Sequence, residues 1–268
     1  MLVIFKRLFR DKIQSLMLFC IMGILLIWLY FLFFPLIVEQ SENIRGFMES
    51  LPIVLLKAIG VDDLNTFFNI EGFLTYKHYN ATLPLLIIFL TVSLAGSSLS
   101  GEIERGTIET PLACPVSRIR MFFGVFAVGI VALLIFTICA VFSVVPAGAF
   151  GGIEYVLKFH LLIAIASCFF GWSVLSVAML VSSLCSEARR SYMIMGGILF
   201  VMYILYLISM TIGSLSWLRY FSLFGYYDPN YILLTNKIDY SSLFVFSAVA
   251  LMCTFLGAYH FNKRDICL

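Results

Sequence analysis

Three histidines, a serine-rich stretch and a pair of glycines are the residues of this chain whose types suggest chemistry. His78 and His160 flank apolar runs on one side and His260 ends a run on the other, so the three do not converge on one metal or nucleophile. No HExxH is present. Gly96-Ser97-Ser98-Leu99-Ser100 resembles a GxSxG nucleophile turn only loosely, because Ser100 stands where the closing glycine belongs. Small residues at that spacing suit close helix packing instead. Gly101 and Gly106 are spaced as in a phosphate-binding loop, but Thr107 stands where that loop needs lysine and no strand precedes it. The seven cysteines show no CxxC spacing, and none falls in an expected outer loop. No catalytic residue and no metal site is assigned, and none of these patterns lets the chain bind ATP.

What remains is charge. Glu102 to Arg118, EIERGTIETPLACPVSR, is the densest charged cluster between two membrane-length apolar runs. The chain around it has 268 residues, of which 62% are hydrophobic and 12% charged, with a mean hydropathy of +1.04. So little polar surface cannot cover a soluble core. The bilayer must be the main solvent, and a loop as charged as 102–118 must sit in water.

Six apolar runs have the roughly 20 residues needed to cross a hydrocarbon core about 30 Å thick. They are residues 16–38, 81–100, 121–145, 159–183, 192–213 and 241–259. The fold class expected is an all-α membrane protein with six transmembrane helices and one permease domain over 1–268. Of the seventeen Lys and Arg, eleven lie in the N-terminus, loop 101–120, loop 184–191 and the C-terminal tail. The positive-inside rule therefore places both termini and the charged loop in the cytoplasm. A net charge of +2 and the lack of a basic tract exclude nucleic acid as a partner.

Three flanking pieces have their own pattern. In residues 1–15, Leu2, Phe5, Phe9, Ile13 and Leu16 recur at helical spacing opposite Lys6, Arg7, Arg10 and Gln14. This predicts an amphipathic "elbow" helix on the membrane lipid, serving either as a basic anchor or also as a contact for a cytoplasmic partner. Lys12 falls on its apolar side and would have to snorkel. Residues 39–80 are expected as an outer loop whose piece SLPIVLLKAIG lies on or dips into the outer leaflet. Residues 214–240 are rich in aromatics, with Phe221, Phe224, Tyr226, Asp228 and Pro229 at its centre. They predict either two short helices forming an outer re-entrant segment or a plain aromatic belt.

The middle of every run lacks Asp, Glu, Lys, Arg and His, the usual groups of proton and ion relays. A chain with no power source and a structured charged loop is expected to borrow energy through that loop.

Glu104-Arg105-Gly106-Thr107-Ile108-Glu109 followed by Cys114-Pro115-Val116-Ser117-Arg118 resembles the signature between the second and third spans of ABC-2-type permeases, the membrane subunits of ATP-binding-cassette exporters. The resemblance covers essentially the whole chain. It implies a second permease subunit, identical or related, and two separate ATPase subunits that bind ATP and Mg. It also implies a coupling helix in loop 101–120 and a prokaryotic plasma-membrane location. On it, Glu102, Glu104, Arg105 and Glu109 make charged contacts or hold the loop's shape. Gly106-Thr107 turns the chain and caps a helix, and Pro115, Ser117 and Arg118 complete the motif, with Arg118 and Arg120 at the headgroups. Pro111 departs from the family pattern and would shorten or kink the coupling helix. Uncharged spans suggest an amphipathic cargo such as a drug, peptide or lipid-like molecule. The competing reading is a non-transporting scaffold or an intramembrane enzyme.

Overall fold

The computed structural model describes residues 2–50, 64–105 and 117–264. Inside a bilayer every backbone N–H and C=O must find its partner within the chain, so apolar segments become helices. Among the described residues six helices are long and apolar enough to span: Arg7–Glu39, Ile70–Glu104, Arg118–Gly151, Leu157–Leu184, Ala188–Thr211 and Tyr240–Lys263. They are called spans one to six, and each contains or closely overlaps one apolar run of the sequence.

Span four is the hub. It packs against spans two, three and six, while span one leans on span three. Hydrophobic driving force between helices is absent in lipid, so close van der Waals approach does the work. Gly171 illustrates it: a Cβ there would lie 2.5 Å from Leu133 and 2.8 Å from Ile87, both fully buried side chains. Spans one and five leave their apolar side chains largely exposed, Leu32, Phe200 and Val201 among them. These faces are for lipid or for another subunit.

Several boundaries differ from expectation. The elbow of residues 1–15 is not a separate helix: one uninterrupted helix runs Leu2–Glu39. Nothing between Arg10 and Leu16 breaks it, because no glycine or proline interrupts the hydrogen-bond ladder there. The outer loop of 39–80 is shorter than expected. It holds a helix at Ser41–Glu49, while residues from Ile70 onward already belong to span two. Most of SLPIVLLKAIG lies outside the described residues.

Span two is not a plain α-helix. Two π-helical stretches, Thr75–Thr82 and Gly96–Ser100, bracket an α-helical middle, Leu83–Ala95. Pro84 lacks the N–H that would continue the α ladder at the end of the first stretch. There the Thr82 hydroxyl donates to the Lys77 carbonyl at 2.9 Å. In the second stretch the serines bond back: Ser97 Oγ to Ser93 O at 2.6 Å and Ser100 Oγ to Gly96 O at 2.9 Å. π turns cluster at functional positions, and here one sits at each end of the span.

Segment 214–240, expected as two short helices or an aromatic belt, forms three short helices, Gly213–Phe221, Leu223–Gly225 and Pro229–Thr235. Asp228 caps the last of them, its Oδ1 accepting from Tyr231 N–H at 2.9 Å, with Pro229 at the first helical position. Phe221 points outward, 65% exposed, whereas Phe224 packs on Phe170 and Tyr203, and Tyr226 on Phe246.

Asp239 caps span six: Oδ1 accepts from Ser241 N–H at 3.0 Å and Oδ2 from the hydroxyls of Ser241 and Ser242. The Ser241 hydroxyl, more than any other contact, holds this carboxyl below the usual carboxylate range. Its charged form is therefore the stabilising one, so the contribution is present above the ordinary carboxylate pKa and is lost as pH falls through the lowered value. Asp239→Ala is expected to lower stability by about 1 kcal/mol. Thermal unfolding in detergent at neutral and strongly acid pH checks this; the gap to wild type should shrink in acid.

Candidate functional site at the inner ends of spans two and three

The charged loop is shorter than 101–120. Gly101–Glu104 closes span two and Arg118 opens span three. Gly106, Thr107, Glu109, Pro111 and Pro115 lie outside the described residues, as does any coupling helix they form. The described ends of the loop are each tied to other spans.

On the span-two side, Lys12 of span one does not snorkel. Its Nζ donates to Ser97 Oγ at 2.6 Å, and the Arg105 guanidinium donates to the Ser97 carbonyl at 3.3 Å. The second π stretch thus receives two cations, one from span one and one from the loop. Glu102 is half-buried, with Arg7, Lys12 and Arg105 as attractive neighbours and Asp11 as a repulsive one. Arg7 and Arg10 are exposed on the same helix as Lys6 and Lys12. Glu104 accepts from the backbone N–H of Ala188, the first residue of span five, at 2.9 Å. A carboxylate there also favours the positive end of that helix. Behind it, Ser182 of span four donates to Ala95 O at 3.0 Å and accepts from Ser100 N–H at 3.1 Å.

On the span-three side, Ser117 caps the helix by accepting from Arg120 N–H at 3.4 Å. The Arg118 guanidinium donates to the carbonyl of Arg264 at the end of span six. Arg120 is exposed. The structure therefore brings Glu102 and Arg105 together with Arg7 and Lys12, ties Glu104 to span five, leaves Ser117 as the cap of span three and sends Arg118 to the end of span six. Lys12, Ser97 and Arg264 were missed as site residues. The visible signal was Lys12 itself, a cation on an apolar face.

Losing one partner of a half-buried charge costs about 1–3 kcal/mol. Ser97→Ala is accordingly expected to lower unfolding stability by that amount, and Lys12→Met in the same background to restore part of it. A double-mutant cycle read by thermal unfolding measures the coupling.

Toward the end of the bundle away from the charged loop, a cavity of about 410 Å³ opens between spans two and five. Leu199, Phe200 and Tyr203 of span five face Pro84 and Ile88 of span two, with Phe224 and Tyr227 above them. Its polar groups are few. Tyr227, fully buried, shares a 2.9 Å hydrogen bond with Ser167, and burial pushes its hydroxyl above the ordinary tyrosine range. Asn80 donates to Asn230 at 3.0 Å, joining the first π stretch to the outer helices. Beside the cavity, two of the three histidines share a neighbour: the rings of His78 and His160 stand 5.3 and 5.9 Å from that of Tyr79. Among the described residues no three His, Cys, Asp or Glu side chains come close enough to hold a metal ion.

A family model described as ABC-2 family transporter protein matches residues 2–266. No curated individual protein matches the chain. With six membrane-length helices and a match over nearly its whole length, the chain belongs to the ABC-2 family of transporter proteins, as a multi-pass membrane permease rather than a catalytic subunit.

Proposed function

We propose that this permease forms the translocation pathway of an ATP-driven exporter in a prokaryotic plasma membrane. It pairs with a second permease subunit and takes its energy from two separate ATPase subunits, which hold the ATP and Mg. Both termini and loop 105–117 face the cytoplasm, as the Lys/Arg bias supports. The observation that carries the reading is the tethering of both loop ends. Glu104 grips span five, Arg105 and Lys12 grip the π stretch of span two, and Arg118 grips the end of span six. A push on this loop is delivered to rigid helices rather than lost in a slack connection. The second permease has two largely uncovered apolar faces, spans one and five, on which to pack.

The cavity between spans two and five supports an amphipathic cargo. Its walls are aromatic and aliphatic, with a small number of polar groups to orient a ligand, the usual make-up of a small-molecule site. Tyr203→Ala together with Phe200→Ala is expected to reduce cargo-stimulated ATP hydrolysis by about thirtyfold or more while basal hydrolysis stays unchanged, because two large contact surfaces are lost and each is worth about 1 kcal/mol or more. The test is co-purification of an ATPase with the intact chain from its native membrane, followed by hydrolysis assays against a panel of amphipathic compounds. A chain that recruits no ATPase under these conditions is not an exporter subunit.

A further inference from the structure

The turn between spans four and five, residues 184–187, carries Glu187 and is followed by Arg189 and Arg190, the pattern of a plain topology signal. In the fold it is held from two sides. Arg264, just past the end of span six, donates from one guanidinium nitrogen to the carbonyls of Ser183 and Cys185, both at 2.8 Å, and from the other to Ser186 Oγ. The backbone carbonyl of the same Arg264 accepts from Arg118, the first residue of span three. On the opposite side, Glu104 takes the N–H of Ala188 where span five begins. The two described ends of the charged loop, Glu104 and Arg118, therefore both reach this turn, one directly and one through Arg264.

We infer that Arg264 is a positioning residue for energy transfer, stapling the 184–187 turn so that movement of the charged loop shifts spans four and five together with spans two and three. The chemistry favours arginine. A planar guanidinium presents several donors in a fixed fork and satisfies two carbonyls and a hydroxyl at once. Those carbonyls belong to the last turn of span four and the residue after it, where a helix has acceptors left over and welcomes a cation. Without the fork, the turn would lose its link to Arg118 and keep only the single bond from Ala188 to Glu104. A basic residue kept only for the positive-inside rule would need none of these contacts, and any lysine would replace it.

This inference rests on the exporter reading, and its test separates the two. Cys185 sits under the staple, 7% exposed, and desolvation pushes its thiol above the ordinary range despite the neighbouring arginines. In a background with Cys114 and Cys267 changed to serine, inside-out vesicles are treated with a membrane-impermeant maleimide. Arg264→Gln is expected to speed Cys185 labelling by about tenfold or more, since several hydrogen bonds to a charged donor are lost. Arg264→Lys should fall between the two. In the same preparations with the ATPase subunits present, cargo moved per ATP should drop by about tenfold for Arg264→Gln, with permease insertion and ATPase recruitment unchanged. Unaltered labelling would overturn the staple. Faster labelling with unchanged cargo per ATP, or lysine performing as well as arginine, would overturn its role in transfer. If the wild-type chain recruits no ATPase, the exporter reading and the transfer role both fail, and the labelling result then judges the staple alone.

Discussion

Reversing two charges of the loop, Glu104→Lys with Glu109→Lys, is expected to abolish co-purification of the ATPase subunits while the permease still inserts. Like-charge juxtaposition at a charged interface costs several kcal/mol, enough to lower affinity by more than a thousandfold. The fold supplies the control this experiment needs. Glu104 also accepts the Ala188 N–H at the start of span five, so its reversal acts inside the chain as well. Glu104→Gln keeps an acceptor for that N–H and removes only the charge, and Glu109→Lys alone leaves the bond intact. Docking is supported if Glu109→Lys alone weakens recruitment and Glu104→Gln preserves stability. If full recruitment persists in the double reversal, the charged loop is not the docking element.

The second large effect is expected at Gly225→Ala. A Cβ at this position would lie 2.2 Å from the backbone carbonyl oxygen of Arg219 and 2.9 Å from its carbon. No rotamer change relieves a clash with backbone, so the outer turn must open. Tyr226 would then lose its hydroxyl bond to the Tyr220 carbonyl, and Phe224 and Tyr227 would shift from the roof of the cavity. A cost of about 1–3 kcal/mol is expected from overpacking of this kind. It should appear as a lower unfolding temperature and as loss of cargo-stimulated hydrolysis. Gly213→Ala, a position with open space around it, should behave as wild type in both assays. Equal behaviour of the two variants would mean that the turn is not the rigid roof described.

Much of this molecule was legible in its residues, for a physical reason. A bilayer leaves few choices: an apolar run must be a helix, its length must match the core, and the Lys/Arg bias orients it. All six spans follow from composition along the chain alone. The family signature was readable because it lies in consecutive residues, Glu104 to Glu109 and Cys114 to Arg118.

What the residues did not disclose depends on neighbours distant in sequence. The amphipathic pattern of residues 1–15 suits an elbow, and it does not tell what Lys12 meets; it meets Ser97, eighty-five residues on. Span two reads as an apolar run from 81, yet its helix starts at Ile70, and Tyr79 packs there on Phe159 and His160 of span four, partners that no local pattern reveals. Glu104 and Arg118 read as charges for a partner, and only packing shows that they also grip span five and the end of span six. The number and chemistry of the spans are thus set by solvent, which acts on each residue separately. The ties at the ends beside the charged loop are set by contacts across more than eighty residues of chain, and those exist only once the helices have assembled.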